Sequence, residues 1–397
     1  MKDWPQPLAG TAAQRYLSVI LLAIALPFFI VELRSMYPYA LIPMAKKIYD
    51  YQQISTKVDT SLIPEVSSLN SANPPSNELM VMVIGESSQA EFWQINGFAQ
   101  ETSPFIVARQ KKGELINFPK HMSAASATFL AVPSMLTPFG KIIEFRDGGW
   151  SPSLMSLMKK AGRHTAWFST QSPQPASTEA DDVDFVGDFF NYYDKALFDE
   201  ALVPHAAQWM KKYADTPSFL VLHTLGSHIP FERRYPNAFK KWAVPEAEYP
   251  KSQTVANYSN TILYTDYVLE QVMKKMELEK RPALLVYVSD HGETLMRGIS
   301  RSASPAGAAI LHVPLMIWAN ALWRTAHSDQ WALLATQANT QPVTHHLNLA
   351  PTLTHLAGLQ YEGMPHDLDL LSAQFKPWKS TPAIEPDLKT VSFIAPP

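Results

Sequence analysis

The sequence predicts an α/β fold with a mostly parallel central sheet covered by helices on both faces. Three observations predict it. Short uncharged apolar runs, Met80–Ile84, Phe219–Leu222 and Leu284–Val288, read as strands buried on both faces. Helical patterns fall between such runs, the pattern that builds parallel sheets. Residues able to do chemistry stand where the runs stop, and open α/β sheets place their sites outside the carboxyl ends of their strands. A chain of 397 residues with 46% hydrophobic and 17% charged content can bury a sizeable core. A net charge of -3 leaves no basic footprint for nucleic acid. The absence of cysteine excludes disulfides, thiolate metal sites and a cysteine nucleophile. No internal repeat is visible.

The chain begins with a polar stretch, then runs from Tyr16 to Val31 without a charge. The flanking sequence Glu32-Leu33-Arg34-Ser35-Met36-Tyr37 supplies no good small-x-small cleavage site, so the run reads as an uncleaved membrane helix rather than a signal peptide. Residues 1–35 are therefore expected to be an anchor. Residues 36–77 are expected to be a juxtamembrane segment and a linker, because 59–77 is rich in Ser, Asn and Pro. Residues 78–397 are left for the soluble domain.

Within that domain Met80–Ile84 is the first strand and Leu115–Phe118 the second. Residues 121–137 are small and hydroxylic and pass into a helix from about Thr128. Ser151–Ala161 starts with an N-cap Ser and an early Pro, a helix signature. His164–Phe168 is a strand, 170–182 a polar loop, and Phe219–Leu222 a further strand leading to His223-Thr224-Leu225-Gly226-Ser227-His228. The longest helix covers 253–279, with Ile262, Leu263, Val268, Leu269, Val272 and Met273 as its core stripe. His312–Trp318 reads as a strand entered through a histidine, and 343–358 as a helix closed by Gly358.

Ligand-type groups occupy four of these boundaries: Glu86, His228, Asp290 with His291, and His312. Thr128 adds a hydroxyl at a helix start. Singly, each has a plain structural explanation as a turn acid, a helix cap or a strand-edge polar group. Jointly, the topology brings them to one rim. An adjacent carboxylate and imidazole can both reach one metal ion such as zinc.

These residues sit in segments that resemble one family. Val83-Ile84-Gly85-Glu86-Ser87 with Asn96-Gly97-Phe98, Ser126-Ala127-Thr128 with Val132-Pro133-Ser134-Met135, Gly226-Ser227-His228, Tyr258–Asp266, Ser289-Asp290-His291-Gly292-Glu293 and His312-Val313-Pro314 follow one another in the family's order. The stretch 79–360 is similar to the phosphoethanolamine transferases of the alkaline phosphatase/sulfatase superfamily, which modify lipid A, lipopolysaccharide core or periplasmic glucans. The resemblance implies an alkaline-phosphatase-like α/β/α sandwich in the periplasm, held at the bacterial cytoplasmic (inner) membrane. It implies zinc held by Glu86, Thr128, Asp290 and His291, with His228 and His312 serving the phosphate or a second zinc. It implies Thr128 as the nucleophile, phosphatidylethanolamine as the donor and an envelope glycan or lipopolysaccharide as the acceptor. Ser126 and Ser123 are the alternative hydroxyls.

Three features depart from the family. Ala124 and Ser134 stand where relatives carry cysteines. Ser169–Gln174 replaces a charged loop, which places the neutral Gln171 on the expected acceptor side and favours a hydroxyl acceptor over a phosphate. The family has several membrane helices and this chain offers one candidate, so either upstream helices lie outside this sequence or the protein is a shortened paralogue. A phosphatase or phosphodiesterase of the same superfamily is the alternative activity, and a non-catalytic envelope partner a third reading. The Cys/Ser-x-Pro-x-Arg signature of sulfatases is lacking at 126–135.

Overall fold

Seven strands build the central sheet, in the order Leu115–Asn117, Leu315–Ala319, Ala283–Ser289, Leu79–Gly85, Ser218–His223, His164–Ser169 and Asp182–Phe185. The computed structural model describes residues 58–69, 77–142, 151–186, 198–243, 251–293, 295, 308–385 and 390–393. The expected anchor, residues 16–33, lies outside them. Among the described residues no helix is long and apolar enough to cross a membrane.

The centre of the sheet is parallel. Leu79–Gly85 pairs in parallel with Ser218–His223 on one side and with Ala283–Ser289 on the other. Every residue of these three strands is buried, which is why they read as continuous apolar runs rather than alternating ones. Their side chains still alternate between faces. Met80, Met82, Ile84, Leu284, Val286 and Val288 join one core. Leu79, Val81, Val83, Ala283, Leu285 and Tyr287 join the other. The long helix Lys251–Glu277 packs Ile262, Val268, Leu269, Val272 and Met273 into the second core. The helices Thr128–Leu136, Leu154–Lys160 and Leu349–Leu356 cover the first. The expected sandwich is present.

Several boundaries differ from the sequence reading, each for a local reason. The run His312–Trp318 is broken at Pro314, which has no N–H to give a ladder. Its first part, His312–Val313, pairs antiparallel with His121–Met122 in a separate small sheet. Its second part, Leu315–Ala319, runs antiparallel beside Ala283–Ser289. The expected helix 343–358 starts only at Leu349. Before it, Thr344–His345 is a strand and 346–348 a tight turn, because the His345 side chain accepts from Leu347 N and Asn348 Oδ1 accepts from His345 N. Gly358, at φ 71°, follows the helix end as expected. Part of the expected linker belongs to the folded unit: Val66–Ser68 pairs with Leu359–Tyr361. Inside the expected polar loop 170–182, Gln171, Gln174 and Ser177 are buried, and Asp182 opens an edge strand. The C-terminal stretch, unread from sequence, forms a hairpin of Thr381–Ile384 and Thr390–Phe393.

Candidate active site

The site starts from strand register. Gly85 and Ser289 are paired residues at the ends of adjacent parallel strands. The next residue on each strand, Glu86 and Asp290, is fully buried. Gly85 is required here, since a Cβ would lie 2.6 Å from the Tyr287 hydroxyl. Ser87 takes a left-handed φ of 57°, and its N–H donates to Asp290 Oδ1 at 3.0 Å. His291 N donates to the same oxygen at 2.7 Å. Among the described residues Asp290 Oδ2 makes no hydrogen bond, and it lies 3.4 Å from His291 Nε2. Burial pushes the Asp290 carboxyl up from its ordinary value, against those backbone amides.

His291 is oriented by its own chain. Its Nδ1 lies 2.6 Å from the Gly292 carbonyl, which assigns the proton to Nδ1 and makes Nε2 the unprotonated nitrogen, of the kind that ligates a metal. That Nε2 is 3.6 Å from Glu86 Oε1 and 3.3 Å from Thr128 Oγ1. Thr128 Oγ1 donates to Glu86 Oε2 at 2.9 Å. Thr128 is the first residue of its helix, and the N-cap position is filled by Ala127, whose side chain cannot cap the first amides. A helix N-terminus presented this way favours an anion.

Glu86, Asp290 and His291 each offer a ligand atom within 4.8 Å of the others. Two buried carboxylates with only His291 as ion-pair partner among the described residues call for a cation. The orphaned Asp290 Oδ2 and the aimed Nε2 are what an oxygen–nitrogen site for zinc needs. The residues fit such an ion.

The other site residues expected from sequence are placed as follows. Gln171 Nε2 donates to Glu86 Oε2 at 2.7 Å, which sets the loop after His164–Ser169 against that carboxylate. Gly226, at φ 49°, lets the Gly-Ser-His loop press on Glu86, where a Cβ would come within 2.8 Å of the Glu86 backbone. Ser227 N donates to Glu86 O at 2.9 Å. His228 follows, half-buried, its Nδ1 2.7 Å from the Ile229 carbonyl. His312 Nε2 lies 2.7 Å from the Pro119 carbonyl, and its Nδ1 is 3.5 Å from Glu91 Oε1.

The sequence reading missed the groups that position these residues. Asp199, buried, accepts from Leu225 N and Gly226 N at 2.8 Å each and fixes that loop. Tyr258 donates to the Ser87 carbonyl at 2.6 Å and accepts from Gln89 N. His346 accepts from Ala124 N at 3.2 Å and, through Nε2, reaches the Ser289 carbonyl at 3.0 Å. It thus ties the Thr128 segment to the Asp290 strand. Burial and the neighbouring His345 push the His346 pKa well below its ordinary value, so it works as a neutral ring. The C-terminal hairpin adds a brace, with Ile384 N donating to Ala124 O at 2.8 Å. None of these residues carries a local mark of its role, because each partner lies far along the chain and only the fold brings it near.

The family described as Sulfatase matches residues 78–359. The phosphoethanolamine transferase EptA of Salmonella typhimurium is 27% identical over 309 residues, covering 71% of this chain and 53% of that protein. The chain spans about half the length of such curated relatives. The C-terminal periplasmic domain of EptC from Escherichia coli, solved in complex with zinc, superposes with a TM-score of 0.69 at 23% identity, over 80% of this chain and 92% of that one. The integral membrane lipooligosaccharide phosphoethanolamine transferase A from Neisseria meningitidis superposes at 0.70 and 21% identity, over 92% and 72%. At such identities the superpositions establish the fold, while the family match over most of the folded unit settles membership: the chain belongs to the sulfatase family.

Proposed function

We propose that this chain is a zinc-dependent phosphoethanolamine transferase of the bacterial envelope. It takes the group from phosphatidylethanolamine and passes it, through a phosphothreonine at Thr128, to a lipopolysaccharide or glycan acceptor. Residues 16–33 would hold it in the cytoplasmic membrane with residues 78–397 in the periplasm. The observation that carries the reading is the Thr128 hydroxyl, 2.9 Å from Glu86 and 3.3 Å from His291, at a helix N-terminus. The alternative hydroxyls are less suited. Ser123 Oγ is committed to the Ala125 and Asp290 carbonyls, and Ser126 is buried, whereas Thr128 is half-exposed.

Glu86, Asp290, His291 and Thr128 would hold the zinc. When bound, it would lower the pKa of the threonine hydroxyl and offset charge on the phosphoryl oxygens. The hydrogen bond from Thr128 Oγ1 points the leaving proton at Glu86 Oε2. Oγ1 bonds to phosphorus as the bond to the diacylglycerol oxygen breaks, and that oxygen leaves as diacylglycerol after protonation. His228, on the loop pressed against Glu86, is the proposed proton donor. An acceptor hydroxyl then displaces the group and restores free Thr128.

The test is incubation of the full chain, in lipid nanodiscs, with phosphatidylethanolamine labelled in its ethanolamine. Mass spectrometry is expected to find the label on Thr128 and none in Thr128→Ala. Label on Ser126 or Ser123 would move the nucleophile. Release of soluble phosphoethanolamine with no transfer to any envelope glycan would favour a phosphodiesterase.

A further inference from the structure

A cleft of about 630 Å³ lies on the edge of the sheet beside His312, within the roughly 300–1,000 Å³ range of small-ligand sites. Its floor is the edge strand Leu115–Asn117; the helix Ser328–Asn339 and the turn Gln94–Asn96 contribute residues on either side. We propose that this cleft is a carbohydrate subsite that holds the sugar portion of the acceptor, an inference that rests on the transferase reading and names its acceptor class.

The lining has the chemistry of a polyhydroxyl ligand. The side-chain amides of Asn96, Gln110, Asn117, Asn339 and Gln341 surround it, together with Trp331. An amide offers a donor and an acceptor side by side, which suits neighbouring hydroxyls. An aromatic ring offers an apolar face for the C–H face of a sugar ring. The ionisable lining residues are Glu91, Lys120 and His312. One lysine balanced by one glutamate is not the cluster of forked cations that a polyphosphorylated ligand selects.

One buried atom in this lining needs a partner. Asn117 is 9% exposed and His312 8% exposed. Asn117 Nδ2 donates to Asn96 Oδ1 at 2.8 Å, which turns Asn117 Oδ1 into the remaining acceptor. That Oδ1 makes no hydrogen bond among the described residues, while His312 Nδ1 faces Glu91 Oε1 at 3.5 Å. Buried polar atoms left so are uncommon and costly. Backbone strain falls here too. Among the described residues two non-glycine positions have positive φ: Ser87, beside Glu86, and Gln341, in this cleft. The cleft is also joined to the reacting groups. Glu91 follows Glu86 along one loop, and His312 pairs in the small sheet with Met122, at the start of the Thr128 segment.

The test uses the full chain in nanodiscs, with two probes: a neutral glucose trisaccharide and the oligosaccharide freed from lipopolysaccharide by mild acid. Binding is measured by calorimetric titration, and transfer by following label from Thr128 to the oligosaccharide. Trp331→Ala and Asn339→Ala are expected to weaken oligosaccharide binding at least tenfold. They should raise its half-saturating concentration in transfer by the same factor, with the half-saturating donor concentration within twofold of the parent. Binding of both probes unaffected in both folded variants would overturn the subsite. So would a fall in donor use equal to the fall in transfer. If Thr128 takes no label while the titration still depends on Trp331, the transferase reading fails and the carbohydrate site stands.

Discussion

Single atoms set the character of this site. Gln171 Nε2 and Thr128 Oγ1 both donate to Glu86 Oε2, so Gln171 holds the carboxylate in one rotamer. Partners of this kind typically contribute about 10–100-fold in metal affinity. Gln171→Ala is expected to weaken zinc binding by roughly that factor and to slow both half-reactions, measured by zinc competition with a fluorescent chelator and by single-turnover labelling. An effect on transfer alone would return Gln171 to the acceptor side. Gly226 carries a different constraint. At φ 49° with the Glu86 backbone 2.8 Å from an added Cβ, Gly226→Ala should cost roughly 2–3 kcal/mol, seen as a lower urea midpoint. An unchanged midpoint would show that the loop moves off Glu86 without cost.

At the scale of elements, short connections do the positioning. The turn 346–348 exists because His345 caps it, with Nδ1 accepting from Leu347 N at 3.2 Å and Nε2 reaching the Pro382 carbonyl at 2.9 Å. Burial pushes its pKa down to about 4. The unfolded chain therefore binds a proton that the folded chain refuses between pH 6.5 and about 4. Its contribution is present above pH 6.5 and is lost as pH falls through that window, reaching about 3 kcal/mol at the acid end. His345→Asn keeps a capping acceptor but does not titrate. The variant is expected to lose less stability than the parent between pH 7 and pH 4.5 in urea unfolding. Equal losses would show that His345 protonates without breaking the cap. The same turn places His346, which joins Ala124 to Ser289, so an element mistaken for helix in the sequence ties the Thr128 segment to the Asp290 strand.

For the whole molecule, the sandwich brings distant segments to one rim. Glu86 and Asp290 meet because their strands are neighbours in register. Thr128 arrives from a helix on the first core's face, and the C-terminal hairpin braces its segment through Ala124 and Ala125. Placement of this domain at a membrane rests on the charge-free run from Tyr16 to Val31. The expected outcome is that the mature protein retains this run and stays with the membrane fraction after a carbonate wash, checked by N-terminal sequencing and fractionation. A mature N-terminus beyond residue 34, or release by carbonate, would remove the anchor.

The sequence by itself determined the α/β architecture and the central strands, because strands buried on both faces leave continuous apolar runs. It also marked Glu86, Thr128, Asp290 and His291, because each stands at the end or start of an element within a family-like motif. Other features were decided only by tertiary structure. Pro314 divides one apolar run between two sheets, and Val66–Ser68 finds its partner at Leu359–Tyr361. Asp199, Tyr258, His346 and the amides around Trp331 gain their roles from partners far away in the chain. Local pattern reports the period and punctuation of a segment, whereas a hydrogen bond across the fold depends on which segments the packed sheet brings together.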